Sequence, residues 1–306
     1  MTLLSGFRGP APGQPAVPGG PRSRHPRRAG TLEGVNESNG QRDGYGAAED
    51  TEAAGITDAG GTAAAAGRPR RDEDAAGQRV LPLVVRIERA TPPERTDALE
   101  AAALAVLTLL DAPQAAPGGE WAEAVRAWED GRIRKVVRRA RGAEWRRVLA
   151  LPGLTVTHGT AEVRVHPPVP LDAWPRDLSR LQVSGTDLSD SAEPAPPEPG
   201  EPVLWVNPGL SMSAGKAMAQ AGHAAQLAWW AGDEAARHAW RERGLAVAVR
   251  TAVPGAWEAL AGSGLPVVRD AGFTEIEPGS RTVVADVPWL RRGEPYPAGA
   301  RPSGRS

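Results

Sequence analysis

Apolar and β-branched positions gather in two separate stretches of the chain, and each stretch opens on a strand-like run. The first run, VLPLVVRI at Val80–Ile87, leads into an alanine- and leucine-rich helical stretch from about Asp97 to Leu110. The second, VLWVN at Val203–Asn207, leads into an alanine-rich helix from about Ser213 to Trp230. Ala124–Leu149 and Ala236–Leu260 then each give a helix end, a strand, a turn and a Trp-bearing helix. A short strand (Leu154–Thr157; Leu265–Arg269) and an alternating strand (Ala161–Val165; Thr282–Val287) close each stretch. Both read β-α-α-β-α-β-β. This order predicts an α/β fold, a mixed four-stranded sheet covered by helices, pseudo-duplicated in tandem.

The polar stretches between and around these patterns set the expected boundaries. Residues 1–78 hold too little branched or aromatic side chain to offset the entropy of ordering, which predicts a disordered leader. The first copy occupies 79–183, a stiff Pro-rich linker 184–201, the second copy 202–292, and a tail 293–306. The copies differ between their last two strands. The second has the long segment DAGFTEIEPGSR (Asp270–Arg281), whereas the first has only His158, Gly159 and Thr160. A long loop in a compact domain usually carries function.

Composition narrows the chemistry. The absence of cysteine excludes a disulfide framework, a thiol nucleophile and thiolate zinc sites. The longest apolar stretch, Ala101–Leu110, is about half of what a bilayer span requires, so a cytoplasmic protein without a membrane partner is expected. Only two lysines occur, Lys135 and Lys216, among 36 basic residues. In so arginine-biased a chain a lysine is informative, because arginine cannot replace it as a compact point charge.

Two motifs stand in the second copy. MSAGKAMAQAGHA (Met212–Ala224) covers the start of its helix, and RDAGFTEIEPGSRTV (Arg269–Val283) runs from its third strand into its last. With this strand–helix order they resemble the peptidyl-tRNA hydrolases of the type found in archaea and eukaryotes. The resemblance implies hydrolysis of the ester that joins a peptide to the 3′ end of tRNA, with tRNA as partner and no cofactor. The chain departs from the family pattern at Asn207-Pro208-Gly209, where Arg-x-Asp is usual, at Glu275, where Gln is usual, and at Met218.

The residues themselves fit such a reaction. At about 100° per residue, Lys216, Gln220 and His223 share a narrow arc of one helix face among small alanines. Ser211 or Ser213 can cap that helix, whose N-terminal amides favour an anion. Ester hydrolysis needs a positioned water, a proton acceptor, and donors for the developing oxyanion. Asp270, Lys216, His223 and Thr274 are the expected catalytic group; Gln220, Thr282 and Arg269 are the expected substrate contacts. The five histidines are scattered and none pairs with a second histidine or a carboxylate at ligand spacing, so no metal is expected.

The first copy keeps none of Lys216, Gln220, His223, Asp270 or Thr274 at its matching places. It carries a basic run, Arg132–Arg147, in which Arg138, Arg139, Arg141 and Arg146 are candidate contacts to tRNA phosphates; a solvated charged face is the other reading. The expected assembly is a monomer acting as an internal pseudo-dimer. The alternative function is a tRNA-end-binding protein of the same fold without hydrolysis.

Overall fold

The structure is a computed structural model that describes residues 77–271 and 275–291. The expected leader up to residue 76, the tail from 293 and Thr274 lie outside the described residues. The first module runs β1 (Arg79–Arg86), α1 (Arg95–Asp111), α2 (Ala122–Glu129), β2 (Arg134–Ala140), α3 (Gly142–Leu149), β3 (Leu154–His158) and β4 (Ala161–Val165). A two-residue strand, β5 (Val169–Pro170), and a single turn, α4 (Arg176–Ser179), follow. The second module runs β6 (Val203–Val206), α5 (Ala214–Ala231), α6 (Glu234–Glu242), β7 (Ala248–Thr251), α7 (Pro254–Ala261), β8 (Val267–Arg269) and β9 (Arg281–Asp286).

Both modules show the order read from the hydrophobic pattern, and both sheets use the same pairing scheme. The strand orders are β2-β1-β4-β3 and β7-β6-β9-β8, with β5 added on β1. In each sheet the first strand pairs in parallel with the second and antiparallel with the last. Alternation along the strands divides the faces. Leu81, Leu83 and Val85 of β1 and Leu204 and Val206 of β6 enter one shared core. Val84 faces Trp145 and Val148 of α3 on the outside, and Val203 and Trp205 face Trp257 and Leu260 of α7.

The shared core is the layer between the sheets. There α1 and α5 pack on each other, and both are lined with alanine, so their backbones approach closely. At Gly222 the approach is close, since a Cβ there would lie 3.0 Å from Val106 Cγ2 and 3.3 Å from Lys135 Cδ. Each central helix also reaches the edge strand of the other module. Glu100 of α1 accepts from the Val249 amide of β7 at 2.9 Å and from Arg250 Nη1 at 2.5 Å. In return, Lys135 of β2 reaches His223 and Gln226 of α5.

The Pro-rich segment is not a free tether; it is bonded along its length. Arg139 donates its amide to Gln182 O at 2.9 Å and its Nε to Ser184 O at 2.8 Å, which covers the open edge of β2. Thr186 accepts the Gly215 amide at 2.9 Å. Asp190 takes both the amide and the hydroxyl of Thr96, at 2.7 and 2.8 Å, and so closes the N-terminus of α1. Arg250 Nη2 donates to Ala195 O at 2.6 Å, and Arg243 Nη1 to Gly200 O at 2.8 Å. Proline stiffness was legible in the sequence; these side-chain anchors have no local signature.

Among the described residues no helix is long and apolar enough to cross a membrane.

Candidate active site

The start of α5 is built to hold a lysine in place. Ser213 is the N-cap, and its Oγ accepts the Lys216 amide at 3.2 Å. Glu275 accepts in turn from Ser213, at 2.7 Å from the amide and 2.6 Å from the hydroxyl. A carboxylate at a helix N-terminus is favoured by the helix dipole. Thus the position where the family pattern has Gln carries an acid that secures the helix cap.

Asp270 follows β8 directly. Its amide donates to Ser280 O at 2.9 Å and its carbonyl accepts from Gly279 N at 2.6 Å. Gly279 makes that turn with φ at +81°, a conformation that glycine adopts without steric cost. The Asp270 carboxylate then meets α5. Oδ2 accepts a short charge-assisted bond from Lys216 Nζ and a 2.7 Å bond from Gln220 Nε2. Thr282 of β9 donates its hydroxyl to Gln220 Oε1 at 2.6 Å, which fixes the amide so that its nitrogen points at Asp270. Four of the residues read from the motifs therefore form one chain of bonds, Thr282–Gln220–Asp270–Lys216. All four are buried, with exposures of 0, 0, 1 and 6%.

His223 is placed differently. It lies on the same arc of α5, but its Nδ1 is 3.1 Å from Lys135 Nζ of the first module, and it is fully buried. Burial above all, then the positive charges of Lys135 and Lys216, hold its pKa well below the usual histidine value. The residue that the helical arc placed beside the carboxylate is thus a neutral imidazole in the seam between modules. Arg269 is exposed on β8.

The basic run of the first module divides. Arg138 stacks its guanidinium 4.6 Å from the Trp174 ring centre and donates to Leu181 O at 2.5 Å; Arg139 holds Gln182 and Ser184. These two arginines anchor the chain after α4. Arg141 is half-buried at the start of α3, and Arg146 is exposed on it.

The corner of the first module that matches the candidate site is filled from within. Asp97 is the third residue of α1, as Lys216 is of α5. It accepts from the amide and hydroxyl of Thr160, just before β4, at 2.6 and 2.7 Å. Beside it His158 Nε2 lies 2.8 Å from Glu100 Oε2, which raises the pKa of the imidazole. Asp97 and Glu100 of α1 and His158 of β3 offer converging ligand atoms, a grouping that sequence spacing did not reveal because the histidine lies 58 positions after Glu100. Thr160, Arg250, the Val249 amide and His158 itself already satisfy these carboxylates.

The second module is thus a small α/β domain with a buried Lys–Asp–Gln–Thr chain where its strands end and its central helix begins. Residues 201–292, the second module, match the family model described as peptidyl-tRNA hydrolase PTH2. No curated protein and no solved structure matched the chain.

Proposed function

We propose that the chain hydrolyses the ester of peptidyl-tRNA, releasing peptide and free tRNA in the cytoplasm, where such esters arise. The observation that carries this reading is the buried Thr282–Gln220–Asp270–Lys216 chain inside the segment that matches the hydrolase family. Asp270 orients a water and accepts its proton as the water attacks the ester carbonyl. Lys216 neutralises the oxyanion that develops, and Gln220 and Thr282 keep the carboxylate in register. The tRNA 3′ oxygen leaves with the proton that Asp270 accepted, which restores the carboxylate.

On this reading the first module, residues 79–183, is a degenerate copy that stands in for a second subunit, and the active species is a monomer. The same pairing scheme in both sheets and the shared core between α1 and α5 support it.

A second reading, a tRNA-end-binding protein without turnover, is favoured by one feature. Asn207 closes the β6–α5 connection on itself, donating to Arg281 O and accepting from Gly209 N, both at 2.8 Å. No charged pair remains there for substrate. Incubating the full chain with a labelled N-blocked aminoacyl-tRNA separates the two readings: release of the label supports hydrolysis, and binding without release supports the second.

A further inference from the structure

The Lys216–Asp270 pair is closed off, with side chains 3 and 0% exposed. An ester on the end of a tRNA cannot touch groups so covered, and a movement has to precede chemistry. The segment between the modules lies directly on the first turn of α5. Thr186, itself 1% exposed, bonds the amide of Gly215, the residue before Lys216. On either side of it, the segment is anchored to the first module, through Ser184 on Arg139 and Asp190 on Thr96. Gly185, with φ at +71°, gives the backbone a pivot between the first anchor and Thr186.

We infer that residues 185–189 are a gate over the candidate site, latched to α5 by Thr186. The latch releases to admit the acceptor end of the tRNA and closes again over the ion pair. As a claim about tRNA entry, this rests on the hydrolase reading above. The inter-module segment belongs to this tandem chain and lies outside the matched residues up to 200.

The chain offers a direct test. It has no cysteine, and a Cβ at Gly215 would lie 3.6 Å from the Thr186 Cβ, within the span of a disulfide. The full chain carrying Thr186→Cys and Gly215→Cys is assayed oxidised and reduced, by turnover of N-blocked aminoacyl-tRNA and by amine labelling of Lys216. Labelling is read by mass spectrometry, with Lys135 as reference. The expected result is that oxidation slows both rates at least about tenfold and that reduction restores them. Equal rates in the two forms overturn the gate. If neither the reduced variant nor the wild type turns over, the hydrolase reading falls, and the labelling rates alone decide whether the segment opens. If the double variant does not fold, Thr186→Ala serves: losing one hydrogen bond should open the gate more often and speed Lys216 labelling about fivefold. Unchanged or slower labelling would overturn the gate.

Discussion

Lys135 of β2 and His223 of α5 meet across the seam between the two modules, Nζ to Nδ1 3.1 Å apart, both fully buried. The amine also reaches Gln226 Oε1 at 2.5 Å and Ile133 O at 3.4 Å, and lies 4.7 Å from the Trp128 ring centre. Through these two bonds to α5, Lys135 places a polar link in a layer otherwise lined with apolar side chains. Burial pushes the lysine pKa well below its usual value.

Lys135→Met should therefore destabilise the chain by about 2–4 kcal/mol, because it leaves His223 Nδ1 and Gln226 Oε1 buried without their donor. Changing all three residues together, Lys135→Met, His223→Leu and Gln226→Met, should recover most of that loss, since a buried polar group is costly when half-satisfied and cheap when absent. The sign of the pH dependence is a second check. The folded lysine gives up its proton at a lower pH than the unfolded one, so wild-type stability should rise with pH in the window below about 10.5 and level off above it, and Lys135→Met should lack that rise. Denaturant unfolding of the variants reads both effects.

Asp270→Asn should lower turnover about a hundredfold, the usual worth of a general base. The structure adds a consequence for folding. Lys216 is buried against that carboxylate, and breaking a buried pair costs about 3–5 kcal/mol. Asp270→Asn with Lys216→Met should regain stability and stay inactive. A single variant as stable as wild type would show that the lysine finds another partner.

His166 sets an acid limit. Its ring is buried with Nδ1 2.6 Å from Pro152 O, and burial, aided by the charge of Arg164, lowers its pKa to about 4. The folded state thus stays neutral where the unfolded state takes a proton. Stability should be full above pH 6.5 and fall as pH drops toward 4, by about 3 kcal/mol across the window. His223, lowered in the same direction, adds to the loss, whereas His158, raised by Glu100, partly offsets it. Unfolding curves between pH 4.5 and 7 should flatten in His166→Gln.

The fold was legible because short β-branched runs and alanine-rich or Trp-bearing helical stretches follow one another in the same order twice, an order that survives an arginine- and alanine-biased composition. The meeting of four candidate residues was legible because Lys216 and Gln220 lie one turn apart on α5 while Asp270 and Thr282 flank the two ends of one loop. His223 shares the helical arc, yet its direction was decided by Lys135, a side chain from 88 positions earlier that no local pattern announces. Thr186 was illegible for the same reason: a threonine in a polar, proline-rich stretch gives no sign that a helix amide 29 residues on will need its oxygen.

Gly222 tests the seam by volume. In an open helix interior Gly→Ala is worth up to about 1 kcal/mol in its favour. Here the added methyl meets Val106 at 3.0 Å, so Gly222→Ala should come out near neutral. Gly222→Leu cannot be accommodated between α1 and Lys135 and should cost about 1–3 kcal/mol or more. A leucine variant with wild-type melting would mean that the two central helices can slide apart.

The basic run of the first module now divides into two pairs with opposite expectations. Arg138 and Arg139 each hold carbonyl oxygens after α4, so Arg138→Gln with Arg139→Gln should lower the melting temperature. Arg141 and Arg146 accept no such duty from their side chains in the bonds the structure shows, and Arg146 is exposed. If they face the acceptor stem, replacing both with glutamine should leave melting unchanged and weaken tRNA binding. Each lost phosphate contact should flatten the slope of log K against log salt by about 0.9 for a duplex stem. Turnover at saturating substrate should persist, because the Lys216–Asp270 pair sits in the other module. An unchanged slope in the Arg141 and Arg146 variant would leave this face of α3 a solvated one and confine the role of the first module to packing against α5.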